Sequence, residues 1–382
     1  MYLFLYGRST MKKIIPILMA CLLILSSCGG RELTPYEATF YDSFDTVITA
    51  MVYSDSEEKG NEQLEYIHKR YQELDRLYNG FKNFDGVTNL KTLNDRAGKG
   101  KVVVDKELYD LIDYSIKEYK KFGETNIAFG AVTSIWKRYR DTYEVVPEEG
   151  MSQDDKILRE GHPDAKLPSM EELRAANEHT DIDDIVLYPE ESAVEIKDPE
   201  LRIDLGAVAK GYATEKIGEE LRDQGSPAAI ISAGGNVKMI GTPPEKERDY
   251  FGIGLQNPEA VIGGVEGAEN MKDIIYANDT SIVTSGDYQR FYIVKGKHYH
   301  HLIDPDTLMP ADHMRSVAIV TEDSGFADFL STAVFCMPYE KGRALVDSLD
   351  GVEAYWIFDD GSVQFTDGLK NSLDSRGATN AK

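Results

Sequence analysis

Between Thr39 and Tyr53 apolar, β-branched and aromatic residues alternate with polar ones (TFYDSFDTVITAMVY), a pattern that predicts a strand pair or one long strand. The period then changes. Apolar or aromatic residues recur at Leu64, Ile67, Tyr71, Leu74 and Tyr78, the spacing of a helix that Ser56 caps and that runs to about Leu77. An aromatic loop, Tyr78 to Asp85 (YNGFKNFD), leads into a short helix ending near Asn94, and then come a short strand at Val102 to Val104 and a helix from Lys106 to Phe122. Gly123 to Tyr139 starts in a polar turn and enters a helix that buries Trp136. Residues 141–181 are acidic, proline-containing and weakly patterned, which predicts a surface insertion with short helices, and Ile185 to Ile196 reads as a hairpin.

The stretch Leu201 to Tyr212 (LRIDLGAVAKGY) follows directly. An extended apolar run ends in Asp204 and a small-residue turn, then becomes an amphipathic helix from Ala209 to Leu221 that Gly225 stops. A strand that delivers a carboxylate to a helix start builds an anion or metal site from backbone as much as from side chains. Ala228 to Ser232 predicts a buried strand that turns tightly at Ala233-Gly234-Gly235-Asn236. This strand, helix, strand order puts loops where α/β sheets bind ligands. Further on, Thr284 to Tyr288 (TSGDY) is a polar turn before a strand at Phe291 to Lys295, and Lys297 to Pro310 (KHYHHLIDPDTLMP) runs from a strand into a proline-bounded turn. Ser316 to Thr321 is a strand, and Phe326 to Met337 (FADFLSTAVFCM) an apolar helix carrying Asp328, Ser331 and Thr332.

The N-terminus changes the picture of where the chain resides. Met11-Lys12-Lys13 supplies a positive start, Ile14 to Leu25 an apolar core and Leu25-Ser26-Ser27-Cys28 a small-residue site ending in cysteine, the pattern of a lipoprotein signal cleaved before Cys28. Translation is then expected to start at Met11, and the apolar run is shorter than the ~20 residues that span a bilayer. The expected organisation is a signal over 1–27, a lipid-anchored linker over 28–38, one domain over 39–368 and a disordered tail over 369–382. A diacyl anchor on Cys28 holds such a domain at a bacterial cell-envelope membrane, on the periplasmic or extracytoplasmic side. A formal charge of −24 excludes nucleic acid as the main partner, because phosphate backbones demand clustered Lys and Arg. Only Cys21, Cys28 and Cys336 exist, so no disulfide framework forms, and Cys336 in TAVFCM reads as a buried core thiol.

Candidate chemistry sits in the last two thirds. Strand alternation puts His298 and His300 on one face and His301 on the other, so the three cannot easily ligate one metal. His301, just before the Asp304-Pro305 turn, reads as a general base at a cleft or as a structural histidine. Asp328 and Thr332, four residues apart on one helix, share a face. Their oxygens suit magnesium or internal hydrogen bonding equally. Asp204 and Lys210 carry the same two readings, site or solvated surface, and Phe81 and Phe84 either pack in the core or stack on a planar ligand.

Four blocks in order, DLGAVAKGY from Asp204 to Tyr212, GGN at 234–236, SGDY followed by HLIDP, and ADFLSTAVF, resemble the ApbE family of FAD:protein FMN transferases over about Phe40 to Phe365. The resemblance implies one large α+β or α/β domain of mixed sheets with flanking helices, related to the T-fold, and a magnesium-dependent enzyme that moves FMN from FAD to a threonine or serine hydroxyl of a partner protein and releases AMP. It implies Asp328, Thr332 and the Ala207 carbonyl as magnesium ligands and His301 as the catalytic histidine. Asp204, Lys210, Leu302, Thr125, Asn126 and an aromatic of the loop holding Phe81 and Phe84 are the implied FAD contacts, and a membrane redox subunit or secreted flavoprotein is the implied acceptor. An FAD pyrophosphatase and a lipid-anchored flavin-binding protein are the competing readings. Two positions depart from the family: Thr125-Asn126 where Phe-Asp is frequent, and Leu308 where glycine is common. The tail LDSRGAT faintly resembles a flavin-acceptor motif, with Arg376 where Ser or Thr is expected.

Overall fold

A computed structural model of the chain describes residues 32–145, 156–262 and 270–380. The expected signal over 1–27 and the expected anchor residue Cys28 lie outside the described residues. Eight strands form the main sheet: β1 (Thr34–Ser43), β2 (Thr46–Ser54), β6 (Ala228–Ala233), β7 (Asn236–Gly241), β10 (Ser281–Gly286), β13 (Ser316–Thr321), β14 (Glu353–Ile357) and β15 (Val363–Phe365), in the order β1-β2-β6-β7-β10-β13-β14-β15. Every neighbouring pair in it is antiparallel. Smaller antiparallel sheets join β3 (Val102–Val103), β4 (Ile185–Tyr188) and β5 (Ala193–Ile196), β8 (Phe251–Gln256) with β9 (Met271–Ala277), and β11 (Phe291–Val294) with β12 (Lys297–His300). The five longer helices are α1 (Glu57–Tyr78), α2 (Lys106–Phe122), α3 (Gly130–Tyr143), α4 (Ala209–Asp223) and α5 (Ser324–Phe335).

Alternation along the strands explains the layers, since successive side chains point to opposite faces. Ile48, Ala50 and Val52 of β2 join Val283, Val317 and Ile319 in the principal core, against Ile67, Tyr71 and Leu74 of α1, Ile217 of α4 and Phe329, Leu330 and Val334 of α5. Tyr53, Ile282 and Ala318, one residue out of phase, face a second core with Phe251, Ile275, Leu369 and Leu373. Both faces of the sheet are therefore covered. A third cluster holds Phe129 and Trp136 against Tyr292, Ile303 and Leu308.

Several expectations change. The Thr39 to Tyr53 pattern is a hairpin: Phe44 and Asp45 both take positive φ (56° and 50°), as a two-residue loop between twisted strands requires. Its first strand begins at Thr34, so part of the expected 28–38 linker is strand. Leu201 to Asp204 forms no ladder strand. It is an extended segment tied by a bridge between Phe129 and Arg202 and by the Asp204 N–H to the Ile127 carbonyl. The expected disordered tail is folded through Asn380. Leu369 and Leu373 are buried on the second sheet face, Ile275 bridges Leu373, and Ser375 bonds Asp273, because these apolar residues cover a surface that would otherwise be open. Within the expected insertion, the helix Met170–Asn177 is anchored by Leu173 against Trp136.

Candidate functional site

A cavity of about 1240 Å³ opens between the β1–β2 turn, the start of α3, the segment before α4, the Gly234-Gly235 turn and α5. Its wall includes Phe81, Thr125, Asn126, Asp204, Ala207, Lys210, His301, Leu302, Asp328 and Thr332. Residues more than a hundred positions apart thus meet because α4 and α5 cross closely.

That crossing sets the first half of the site. The start of α4 has no side-chain cap of its own, as Val208 precedes it. Instead Asp328 of α5, 4% exposed, accepts the Gly211 N–H through Oδ2 at 2.8 Å, so a carboxylate from another helix satisfies one of the orphan donors of the first turn. Burial pushes the Asp328 carboxyl up, while Lys210, the Gly211 N–H and the Asn236 amide hold it down. Lys210 Nζ lies 4.0 Å from Asp328 Oδ2. Thr332, one turn along α5, lines the same wall. Asp204 is held by two bonds: Oδ1 accepts the Gly206 N–H at 2.8 Å and Oδ2 the Thr133 hydroxyl at 2.6 Å. The anion expected at this helix start is therefore supplied by the protein itself.

The second half is the turn after β12. His300 ends that strand buried, with Nε2 on the Ala311 carbonyl at 2.8 Å and Nδ1 accepting the Leu302 N–H at 3.2 Å. Those two bonds require the neutral Nε2–H tautomer. His301 turns the other way, into the cavity, and its buried Nδ1 has no hydrogen-bond partner. Burial, then Arg290, His300, Arg140 and Lys210, hold its pKa well below the ordinary histidine value. Arg290 is positioned by the carbonyls of Phe44 and Asp45 in the hairpin turn. In an acidic chain these cations act together on the His301 imidazole.

The aromatic loop separates its two rings. Phe81, 64% exposed, lines the cavity with Lys137 Nζ 4.8 Å from its ring centroid, whereas Phe84 stays outside the lining, bridged to Val87 with Lys82 over its ring. Thr125 takes a positive φ of 59° and donates to the Phe329 carbonyl at 3.2 Å, and Asn126 spends Oδ1 on the Ala128 N–H and Nδ2 on the Thr180 carbonyl. Both side chains thus hold the wall in shape. Cys336, expected in the core, is half-buried at the cavity wall, with burial pushing its thiol up to about 12. Sequence reasoning missed Thr133, Arg140, Arg290 and Asn236. Asn236 was visible in the GGN turn, but the other three lie in segments whose pattern speaks only of helix or turn.

The sequence profile of the ApbE family matches residues 44–356. The FAD:protein FMN transferase of Treponema pallidum is 28% identical over 379 residues, covering 95% of this chain and 96% of that protein. Among solved structures, the ApbE protein of Thermotoga maritima superposes with a TM-score of 0.72 at 26% identity, covering 88% of this chain and 98% of its own. The flavin transferase ApbE of Vibrio cholerae shares the fold, with a TM-score of 0.69 at 20% identity over 89% of this chain and 100% of its own. With the profile spanning most of the chain and the fold shared with solved members, the chain belongs to the ApbE family.

Proposed function

We propose that the protein transfers FMN from FAD to a threonine or serine hydroxyl of a partner protein, using magnesium and releasing AMP. The observation that carries this reading is His301: a neutral imidazole under the influence of Arg140, Lys210 and Arg290 in a cavity that also holds Asp204, Asp328 and Thr332. A neutral imidazole can accept a proton, and the negative charge of a bound pyrophosphate offsets the cations that depress its basicity.

The His301 imidazole takes the proton of the incoming hydroxyl as that oxygen attacks the phosphorus of the FMN half. The new P–O bond forms, the anhydride bond to the AMP half breaks, and AMP leaves with the bonding electrons. General base help of this kind contributes about 10²–10⁴-fold. Lys210, Arg140 and Arg290 neutralise the phosphates, and the exposed ring of Phe81 offers a stacking face for the flavin. Asp204, Thr125, Asn126 and Leu302 complete the FAD contacts.

Among the described residues no three His, Cys, Asp or Glu side chains gather into a metal cluster. Ala207, Asp328 and Thr332 all line the cavity, and a carboxylate, a hydroxyl and a backbone carbonyl make an all-oxygen set of the kind that suits magnesium, which takes few protein ligands and completes its shell with phosphate and water. Those three residues would hold it, and bound there it would screen the pyrophosphate charge.

A lipid anchor at Cys28 would keep the cavity at the extracytoplasmic membrane surface, near acceptors such as membrane redox subunits. Metabolic labelling with a radioactive fatty acid, lost in Cys28→Ser, tests the anchor. For the activity, the protein is incubated with FAD, magnesium and a flavin-acceptor domain. Fluorescent acceptor that survives denaturation is the expected result; AMP and free FMN at full rate without acceptor would replace transfer by hydrolysis, and FAD held without AMP release would make the protein a flavin binder.

A further inference from the structure

Thr133 sits in the first turn of α3, and its hydroxyl is not used as a helix hydroxyl usually is. Its neighbour Ser134 donates back to the Gly130 carbonyl at 2.6 Å, the ordinary bond of a serine or threonine inside a helix. Thr133 leaves that carbonyl 3.4 Å away and donates instead to Asp204 Oδ2 at 2.6 Å, 71 residues along the chain. The fold does not need this bond to join the two segments. The Gly130 N–H already reaches the Arg202 carbonyl at 3.0 Å and the Asp204 N–H the Ile127 carbonyl at 2.8 Å, while a Cβ on Gly130 would lie 2.3 Å from the Arg202 carbonyl oxygen. The backbone therefore sets where Asp204 is, and leaves the hydroxyl to set how its carboxylate is turned.

The carboxylate holds one donor on each oxygen, the Gly206 N–H on Oδ1 at 2.8 Å and Thr133 on Oδ2, so its plane is fixed from two separate segments. Each oxygen can still accept a second donor. Asp204, Gly206 and Thr133 all line the cavity, and the one proton of the Thr133 hydroxyl is spent on Asp204, so the pair offers a ligand acceptors and no donor. Phosphate oxygens, themselves acceptors, gain nothing there, whereas a sugar hydroxyl or an N–H of a base or flavin ring does. We infer that Thr133 is a positioning residue that holds the Asp204 carboxylate to receive an O–H or N–H donor of the bound nucleotide, outside its phosphates. This role rests on the transferase reading for what the cavity holds. Thr133 has no contact with the reacting atoms in it and acts through Asp204.

FAD binding is read from the change in flavin fluorescence on mixing, with magnesium present and acceptor absent, and KM and kcat come from the covalent-flavin assay. Thr133→Val removes the hydroxyl at constant shape, and Thr133→Ser keeps the hydroxyl while dropping the methyl. Thr133→Val should bind FAD about 10-fold more weakly and raise its KM by the same factor, with kcat unchanged and urea unfolding of the free protein as in wild type. Thr133→Ser should restore wild-type affinity. An unchanged affinity in Thr133→Val overturns the inference, and so does a serine variant as weak as the valine one, which would make packing of the methyl the cause. Should the valine variant not fold, Thr133→Ala set against Thr133→Ser makes the same distinction. A cycle with Asp204→Ala separates action through the carboxylate from any other. In that background Thr133→Val should weaken binding no further; a second loss of the same size overturns the inference. Wild type that binds FAD but transfers no FMN fails the transferase reading alone, since the binding signal still decides Thr133, whereas wild type that does not bind FAD fails both.

Discussion

Gly211 of α4 and Asp328 of α5 touch: the glycine N–H donates to the carboxylate at 2.8 Å, and a Cβ at Gly211 would lie 2.2 Å from the Ser324 carbonyl and 2.5 Å from Asp328 Cβ. The glycine is what lets the carboxylate approach the helix start, and both obstacles belong to one rigid helix. Gly211→Ala should therefore push α5 outward, costing about 1–3 kcal/mol of stability by overpacking. Transfer activity should fall further than stability does, because Asp328 moves with α5. Urea unfolding and the covalent-flavin assay, run on the same variant, check both; a variant of wild-type activity would show that the crossing can relax without moving the site.

His300 ties stability to pH. Burial lowers its pKa from 6.5 to about 4, the Ala311 carbonyl opposing, since protonating Nδ1 would break the Leu302 bond. With the folded value depressed, the unfolded chain binds a proton that the folded chain refuses between those two values. Its contribution is intact above pH 6.5 and is lost as pH falls from 6.5 toward 4, by up to about 3 kcal/mol. His301 acts in the same direction. Stability curves of wild type and His300→Gln, compared across pH 4–7, should differ in slope over that window; parallel curves would remove His300 as the cause.

The helices were legible because their patterns are local: the Ser56 cap, the 106–122 span and the buried Trp136 face follow from spacing and turn residues alone. Leu201 to Asp204 was not, because an apolar extended run has the same pattern whether it joins a sheet or lies between α3 and the short helix at 90–95. Sequence could name Asp328 and Lys210, but the Thr133–Asp204 bond and the cationic surroundings of His301 depend on contacts between segments far apart in the chain. The tail was misjudged for a related reason. Leu369 and Leu373 look isolated in a polar sequence, and only the open second face of the sheet makes them core.

Leu308 takes a φ of 62°, in the left-handed region that favours glycine. The leucine is nonetheless buried beside Trp136, whose Nε1 donates to the Leu308 carbonyl at 3.0 Å. Leu308→Gly relieves about 1 kcal/mol of backbone strain but removes a buried side chain worth about 2–5 kcal/mol. Packing wins, so the variant should lose about 1–4 kcal/mol and shift tryptophan emission to the red as Trp136 meets water. A more stable variant would place the balance with the backbone.

Lys238 is the buried cation that seats α5. At 1% exposure, its Nζ donates to Glu215 Oε1 and Oε2 at 2.8 and 2.9 Å and to the Glu322 carbonyl at 2.6 Å, while Glu215 Oε2 accepts the Ser324 N–H at 2.6 Å. One ion pair thus joins α4, β7 and the first turn of α5, four residues before Asp328. Burial, with a smaller push from Asp323, moves the Glu215 carboxyl up, and Lys238 and the Ser324 N–H oppose it. Lys238→Met leaves that carboxylate buried without its cation and should cost about 3–5 kcal/mol. Adding Glu215→Gln removes the stranded charge while keeping an acceptor for Ser324, so the double variant should be more stable than Lys238→Met. A double variant no more stable than the single would mean that the lysine acts by filling space, with its charge incidental, and equilibrium unfolding of the four proteins in the cycle separates the two.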